Sequence, residues 1–314
     1  MKFILGSGIV GLIARDILGP SWTLIPFYKS RFYTFNPSLS DNFIIKNDEI
    51  SQYIKSSDIG KVQSFPYRRA YSVKGMLYGK HDDGICSDWC TKTFGYDHSS
   101  HISAYMKHGM EFDVYDVRIN QLYQTLLEKY MPEIKKGMAY GGLSGIGDHA
   151  MAFGDKVVDF DKIVSTIPLD VLGNYCGYDL GLKKKDAHFI HLHTEHLDFE
   201  GYNQTLVADS FFPFYQVTNV ASNKYMFYFH EPLNNPGEFF MSILKDFDIL
   251  DGTSIKDYVV LGSLPKLGMF EDRNIFCVGS YAQWDWCMDV SSCILRIIKY
   301  FQRSLVEKKP SLKI

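Results

Sequence analysis

The sequence predicts an α/β protein in which one domain is assembled from both ends of the chain. A short apolar run, a glycine-rich turn and a helical stretch occupy the first 18 residues. An apolar run at 274–279 and an amphipathic helix from 289 to 306 lie near the other end. Between them, residues 189–231 alternate in polarity and are rich in Phe, Tyr, Val and Thr, which is typical of antiparallel strands.

The N-terminal turn has the G-x-G-x-x-G spacing of a dinucleotide-binding unit. An extended run at 2–5 precedes Gly6, Gly8 and Gly11, and Gly19-Pro20 ends the following helix. In such a unit the first glycine permits a tight turn, the second lets the backbone approach a pyrophosphate, and the third lets helix and strand pack closely. The phosphates then lie on the N-terminus of the helix. The order strand, glycine turn, helix therefore predicts nucleotide binding.

One part of that pattern is missing from the next strand. A ribose-binding Asp or Glu is expected about 20 residues after the glycines. Residues 23–28 instead read Thr-Leu-Ile-Pro-Phe-Tyr, and the first acid after them is Asp41. Either the ribose is held differently, or the glycine motif is purely structural.

Two internal segments complete the outline. Residues 119–130 read as a helix, with Leu122, Leu126 and Leu127 on one face. Residues 162–166 form an apolar run that ends before Pro168, as expected of a buried strand. Strand-to-helix units thus lie at both ends of the chain, with a different architecture between them. The sequence predicts a discontinuous nucleotide-binding domain wrapped around a substrate domain.

Composition excludes several other classes of protein. The chain has 314 residues, 46% of them hydrophobic, and a net charge of −3, so it is neither disordered nor suited to nucleic acid. Arg15 and Asp16 interrupt the first apolar run after about a dozen residues, whereas a bilayer span needs about 20, so we expect no membrane segment. Six cysteines are too few for a disulfide scaffold and favour the cytoplasm. The oligomeric state is left open.

Two groups of residues have the chemistry of metal ligands. Cys86 and Cys90 precede His98 and His101, but the spacing to the histidines is short and the intervening aromatics favour packing. The second group consists of four histidines between 188 and 196, which we expect to be neutral side chains on an exposed strand face. We therefore predict no metal site.

The combination of motifs resembles the superfamily of FAD-dependent amine oxidases and UDP-galactopyranose mutases, which have a Rossmann FAD domain of the glutathione-reductase type. The glycine fingerprint at 3–11, the return strand at 161–169 and the closing strand and helix at 276–286 carry the resemblance. Residues 207–217 look like a mutase substrate strand pair. The cap at 44–108 carries no part of the resemblance.

The resemblance implies a division of the chain into two domains. Residues 1–43, 119–185 and 265–314 would form the discontinuous FAD-binding domain. Residues 44–118 and 186–264 would form the substrate domain, which contains the antiparallel sheet.

The resemblance also implies FAD as the cofactor and a set of site residues. The candidates for contact with the cofactor are Gly6, Ser7, Gly8, Ile9, Val10, Gly11, Arg31, Thr166, Gly279, Ser280, Trp284, Met288 and Asp289. The candidates for contact with the substrate are Arg68, Tyr215, Gln216, Trp284 and Trp286. The flavin itself would carry the redox chemistry. The side chains considered for a catalytic role are Tyr215, Tyr281, Trp286 and His230.

Two departures from the mutases decide the predicted activity. The mutases have an arginine beside the closing glycine and another in the substrate strand, where this chain has Ser280 and Gln216. Neither residue supplies the charge that a diphosphate needs. We therefore expect an FAD-dependent oxidoreductase acting on a small neutral or cationic substrate, with an amine-type C–N bond favoured. The substrate would be free or attached to a nucleotide or polymer.

Two alternatives stay open. Arg68, Arg69 or Arg118 could replace the missing charge, in which case the protein is a flavin-dependent sugar-nucleotide isomerase. The missing ribose acid favours a non-catalytic nucleotide-binding module that has kept only the fold.

Overall fold

The structure is a computed structural model. It describes residues 1–27, 43–56, 63–95, 102, 105–107, 109–115, 117, 119–197, 201–250, 255–261, 267–283 and 289–306. The predicted fold class is confirmed, because the model is a mixed α/β protein with one parallel sheet and one largely antiparallel sheet.

Strands and helices alternate in the first and last parts of the chain, and strands dominate the middle. The strands are β1 (Lys2–Leu5), β2 (Thr23–Ile25), β3 (Ile44–Ile45), β4 (Ser64–Val73), β5 (Met76–Tyr78), β6 (Glu111–Tyr115), β7 (Leu143–Ile146), β8 (Ala150–Phe153), β9 (Lys156–Asp159), β10 (Lys162–Ser165), β11 (Lys183–His193), β12 (Gln204–Val207), β13 (Phe214–Ala221), β14 (Lys224–Phe229), β15 (Asp248–Ile249), β16 (Ile255–Leu261) and β17 (Ile275–Cys277). The helices are α1 (Ile9–Leu18), α2 (Asp48–Ser56), α3 (Asp83–Phe94), α4 (Ile119–Met138), α5 (Leu169–Tyr175), α6 (Pro236–Ile243), α7 (Gly268–Glu271), α8 (Ser280–Gln283) and α9 (Val290–Val306).

The parallel sheet brings distant parts of the chain together. Its order is β17-β10-β1-β2, and every neighbouring pair is parallel. At the carboxyl ends, Leu5 pairs with both Ile25 and Ser165, and Ser165 pairs with Cys277. The predicted return strand β10 therefore lies between the first strand and the last.

Both faces of the parallel sheet are covered, which explains its continuous apolar strands. Ile4 and Val164 pack on one face against α1, α2, α4 and α9. Phe3, Leu5 and Ile163 pack on the other face against α5, α7 and the small sheet β7-β8-β9. Alternate side chains of a strand point to opposite faces, so each strand contributes to two cores.

The larger sheet has the order β15-β11-β14-β13-β12-β4-β6-β3, with β16 beside β11 and β5 beside β4. Its pairs are antiparallel except β12 with β4, which run parallel. One face packs against α3, through Tyr71, Trp89 and Tyr228 among others. The other face packs against α6, where Phe227 and Phe240 lie with ring centroids 5.0 Å apart.

No helix of the described residues has both the length and the apolar character required to cross a bilayer.

Candidate cofactor and substrate site

The glycine turn between β1 and α1 is too tightly packed for side chains at two positions. Gly6 has φ +104°, and a Cβ atom there would overlap Oγ1 of Thr166. A Cβ atom on Gly11 would overlap the carbonyl oxygen of Gly6. Thr166 holds the turn, because its Oγ1 and its backbone N–H each donate a hydrogen bond of 2.9 Å to the Leu5 carbonyl. The turn and the end of β10 thus form one unit.

Gly8, in contrast, faces open space. It is the N-cap of α1, and a Cβ atom there would have no described atom within 4 Å. No side chain caps this helix, and its first turn contains no acidic residue. The first N–H groups of a helix need external acceptors, and the helix dipole favours an anion there. The site therefore fits the pyrophosphate of a dinucleotide, as predicted from the glycine spacing.

The closing strand ends beside this turn. Gly279 follows β17 with φ +123°, and the N–H of the neighbouring Val278 donates to the Ser165 carbonyl at 3.0 Å. The ends of β1, β10 and β17 therefore lie at one edge of the parallel sheet. Ligands of open α/β sheets bind at the carboxyl ends of the strands. The structure brings together Gly6, Gly8, Thr166 and Gly279, all predicted as cofactor contacts.

Asp289 immediately precedes α9, and only one of its two carboxyl oxygens has a hydrogen-bond partner among the described residues. Its Oδ1 accepts a hydrogen bond of 2.7 Å from the N–H of Ser292. Its Oδ2 is buried and has no hydrogen-bond partner among the described residues. Burial raises the pKa of this carboxyl. The hydrogen bonds from Ser292 and the positive charge of Arg69 lower it, but burial has the larger effect. A buried acceptor without a partner is costly, so the group is suited to a donor that arrives with a ligand.

Arg69 is a buried cation of the larger sheet. Its side chain donates to Gln204 Oε1 at 2.6 Å, to the Gly109 carbonyl at 2.8 Å and to the Tyr105 hydroxyl at 3.2 Å. The rings that surround its guanidinium at 5.0–5.9 Å belong to Phe43, Tyr67, Tyr105 and Phe112. Burial alone would lower its pKa, but Tyr105, Tyr67 and Asp289 raise it.

The neighbouring Arg68, predicted as a substrate contact, points the other way. Its side chain is half exposed and lies 3.3 Å from Glu111 Oε1 at the surface. Successive residues of a strand face opposite sides, and at this point of β4 the face of Arg69 is buried whereas that of Arg68 is exposed. From the sequence, Arg69 is expected only as a replacement for missing charge. Arg69 alternates with Tyr67 and Tyr71 along the strand, and this spacing is the sequence signal that could have indicated its burial.

Arg69 belongs to a row of buried polar side chains on the sheet face that packs against α3. The strand register places Arg69 opposite Gln204, and Gln204 opposite Thr218. Gln216 lies on the same face, and its Nε2 donates to Thr218 Oγ1 at 3.3 Å. Each of the four side chains is at most 5% exposed. We call Arg69, Gln204, Gln216 and Thr218 the polar row.

Tyr215 and His230, two of the catalytic candidates, are stacked on each other. Their ring centroids are 4.3 Å apart and the rings are nearly parallel, at 15°. Trp89 of α3 supports them with a hydrogen bond of 2.8 Å from Nε1 to the Tyr215 carbonyl. His230 Nδ1 lies 3.2 Å from the Asp186 carbonyl, which can only accept, so Nδ1 carries the proton. Burial, with the charges of nearby lysines, lowers the pKa of His230 to about 4, and its ring is neutral at physiological pH.

Several predicted site residues cannot be placed. The residues outside the described ranges are Arg31, Arg118, Trp284, Trp286 and Met288. Ser280 and Tyr281 lie in α8, but their side chains are not described. The roles assigned to these residues stay predictions.

Metal ligands do not converge in the described part of the chain, where no three His, Cys, Asp or Glu side chains are grouped around a common point. Cys86 and Cys90 are buried on α3. His98 and His101 lie outside the described residues.

No protein-family model and no curated protein sequence matches the chain. Solved structures do match it over almost its whole length. Reduced UDP-galactopyranose mutase matches with a TM-score of 0.64 and 12% identity, over 98% of this chain and 94% of the mutase chain. Cyclohexylamine oxidase from Brevibacterium oxydans matches with a TM-score of 0.60 and 10% identity, over 97% of this chain and 99% of the oxidase chain. The chain has the fold of the amine-oxidase-like flavoproteins.

A triple mutant of a flavin-dependent brominase has this flavoprotein fold as well. It matches with a TM-score of 0.54 and 11% identity, over 98% of this chain and 81% of the brominase chain. The resemblance inferred from the glycine turn, the return strand and the closing strand is confirmed at the level of the fold. The neighbours are a mutase, an amine oxidase and a brominase, so the shared fold selects no substrate.

Proposed function

We propose that the protein is an FAD-dependent oxidoreductase that oxidises a small substrate by hydride transfer to the flavin, with an amine-type C–N bond favoured. The observation that carries this proposal is the open glycine turn at the carboxyl edge of the parallel sheet, within a flavoprotein fold. The polar row and the stacked pair of Tyr215 and His230 would form the part of the site that contacts the substrate.

The residues at this edge fit a bound dinucleotide. The backbone N–H groups at the start of α1 would bind the pyrophosphate in the space beside Gly8. Thr166 and Gly279 would line the same edge, next to the ends of β10 and β17. Asp289 Oδ2 would accept a hydrogen bond that no described residue provides. Bound FAD would supply the electron acceptor for the substrate.

The larger sheet offers mainly neutral groups for recognition of the substrate. Gln204, Gln216 and Thr218 present amide and hydroxyl groups from buried positions. The stacked rings of Tyr215 and His230 carry no charge themselves, because His230 is neutral at physiological pH, although the charges of Lys185 and Lys92 act on His230. Aromatic faces attract cations, whereas a protonated histidine would repel them. This combination favours a small neutral or cationic substrate over a diphosphate.

A flavin-dependent sugar-nucleotide isomerase is the second candidate, and Arg69 is the observation that favours it. Arg69 is a buried cation on the larger sheet, at a different position from the arginines of the mutases. Three neutral acceptors already engage it, so it supplies only part of the charge that a diphosphate requires.

The decisive experiment begins with the purified protein and its colour. A yellow protein whose denatured supernatant has flavin absorbance supports both enzymatic candidates. A colourless protein that does not take up added FAD contradicts both and leaves the non-catalytic nucleotide-binding module.

Anaerobic mixing then separates the two enzymes. Bleaching of the flavin by a member of a panel of amines and amino acids supports the oxidoreductase. Conversion of a sugar nucleotide only after reduction by dithionite, with no net electron transfer, supports the isomerase and contradicts the oxidoreductase.

A further inference from the structure

A surface cavity of about 420 Å³ lies where the strands of the parallel sheet begin, at the opposite edge from the glycine turn. Phe160, just before β10, donates its N–H to the His149 carbonyl at 2.8 Å. The Ile163 N–H of β10 donates to the Asn274 carbonyl, just before β17, at 2.9 Å. These bonds place the cavity beside the starts of β10 and β17, and we call it the amino-edge cavity. The residues that line it are Asp148, His149, Tyr178, Met269, Asp272 and Arg273.

Backbone hydrogen bonds and ring packing hold the wall of the amino-edge cavity. The Gly147 N–H donates to the Ala150 carbonyl at 2.8 Å, which closes the turn between β7 and β8. In the loop after α5, the Tyr178 N–H donates to the Gly173 carbonyl at 2.8 Å. The Tyr178 ring also packs edge-on against the buried ring of Phe270, with centroids 5.8 Å apart. The cavity is therefore formed by segments that are fixed to the rest of the fold.

Arg273 supplies the positive charge of the amino-edge cavity. Its guanidinium lies over the Tyr178 ring, 4.8 Å from the ring centroid, and its Nε lies 3.0 Å from Asp148 Oδ1. Its Nη1 donates to the Cys176 carbonyl at 3.4 Å. A guanidinium has five N–H donors, and these contacts engage two of them, so three have no partner among the described residues. The side chain is 23% exposed, which leaves those donors accessible to an acceptor that enters the cavity.

Asp272 supplies a negative charge to the same cavity. Within the described part of the chain, its carboxylate has neither an ion pair nor a hydrogen bond, whereas the Asp148 carboxylate is paired with Arg273. Tyr178 and Met269 add an aromatic ring and a thioether to the lining. The amino-edge cavity therefore combines a cation that has spare donors, an unpaired carboxylate and an apolar surface.

We propose that the amino-edge cavity binds a small zwitterion, an α-amino acid with an apolar side chain. The carboxylate of the ligand would accept hydrogen bonds from the spare N–H groups of Arg273, and its ammonium group would donate to Asp272. Its side chain would pack on Tyr178 and Met269. A simple anion would be repelled by the carboxylates of the cavity and a simple cation by Arg273, whereas a zwitterion satisfies both signs of charge. The proposal does not depend on the flavin function.

The size and exposure of the amino-edge cavity limit the ligand and its affinity. Its volume lies within the range of about 300–1,000 Å³ that is typical of small-molecule sites. Tyr178 and Arg273 are partly buried, but the other lining residues are exposed, so water competes for the charged groups. Ion pairs close to water are individually weak, so we expect a dissociation constant of roughly 0.1–1 mM.

The test is isothermal titration calorimetry of the full-length protein with L-α-methylphenylalanine as the probe. The α-carbon of this probe has no hydrogen, so a flavin cannot oxidise it by hydride transfer and the heat reports binding alone. Its methyl ester lacks the negative charge, and its N-acetyl derivative lacks the positive charge. We expect saturable binding of the probe and at least about tenfold weaker binding of both derivatives. Absence of saturable binding up to about 10 mM, or equal binding of either derivative, would overturn the proposal.

Two variants locate the bound probe. Arg273→Met and Asp272→Asn each remove one of the two complementary charges and should weaken binding by at least about tenfold. Arg273 also contacts Asp148 and Cys176, so its loss can lower stability, whereas Asp272→Asn breaks no side-chain contact of the described residues and keeps the shape of the side chain. Asp155→Asn, in the exposed turn between β8 and β9, is the matched control and should bind the probe as the wild type does. Wild-type affinity in folded Asp272→Asn would place the probe elsewhere and overturn the proposal.

Discussion

Arg15 of α1 and Glu133 of α4 form a two-pronged ion pair, with Nε–Oε2 at 2.6 Å and Nη2–Oε1 at 2.7 Å. The Arg15 side chain is 6% exposed and the Glu133 side chain 34%. Replacement of Arg15 by Met removes the charge but keeps most of the volume, and it leaves Glu133 without its partner. We expect a loss of about 1–3 kcal/mol in the free energy of unfolding, measured by urea denaturation.

Arg68→Met is the matched control for this prediction. The Arg68 pair with Glu111 is at least half exposed on both sides, so its loss should cost under about 1 kcal/mol. Equal losses in the two variants would contradict the assignment of Arg15 to the packing between α1 and α4.

Gly8→Val should remove bound flavin while leaving the protein folded. The new side chain would enter the space assigned to the pyrophosphate, and no described atom lies within 4 Å of its Cβ position. The measurement is flavin absorbance per mole of protein after gel filtration, together with the melting temperature. Full flavin retention would show that the N-terminal turn is not the cofactor site.

Gly11→Ala, unlike Gly8→Val, should lower the melting temperature of the protein. Its Cβ would overlap the Gly6 carbonyl oxygen, so α1 and β1 would have to separate. Overpacking of this kind costs about 1–3 kcal/mol. A normal melting temperature for Gly11→Ala would contradict the close approach of helix and strand.

Asp289→Asn should stabilise the protein increasingly as the pH rises. Burial raises the pKa of Asp289 in the folded state, so folding favours the protonated carboxyl. Its contribution to stability is present below the ordinary carboxyl pKa of about 3.9 and is lost as the pH rises through the folded value. Asparagine keeps the N-cap and remains neutral. Urea denaturation at about pH 5 and pH 8 should therefore give a larger gain at the higher pH. A pH-independent difference would contradict this prediction.

His230→Gln should make the protein less sensitive to acid. Burial lowers the pKa of His230 to about 4, so folding favours the neutral ring. The stability that this provides is complete above the ordinary histidine pKa of about 6.5 and is lost as the pH falls toward 4. The difference in melting temperature between wild type and variant should shrink over that interval. His193→Gln makes the same substitution elsewhere, on β11, and serves as the control.

The apolar runs and the glycines were enough to predict the parallel sheet. Ile163 and Val164 of the segment 162–166 face the two cores, and the turn at Gly6 and Gly11 needs glycine for steric reasons. The helix predicted over 119–130 extends through Pro132 to Met138. Pro132 removes one backbone donor, but the turns beyond it bury Ile134 and hold Glu133 against Arg15. Tertiary contacts of this kind are not visible in local sequence.

The polar row could not be predicted, because it depends on strand pairing. Arg69 meets Gln204 only through the parallel register of β4 and β12, two segments far apart in the chain. The alternation of Tyr67, Arg69 and Tyr71 can indicate a shared strand face, but it gives no indication of which residues lie opposite in the neighbouring strand.

The position of β10 between β1 and β17 has a consequence for synthesis of the protein. The ribosome makes β1 first, but its neighbour β10 emerges only after the whole cap segment, and β17 later still. Until β17 appears, one edge of β10 offers unpaired backbone groups, a state prone to aggregation. Slow translation near the end of the message or a shortage of chaperones should therefore reduce the yield of soluble protein more than the stability of the finished chain suggests.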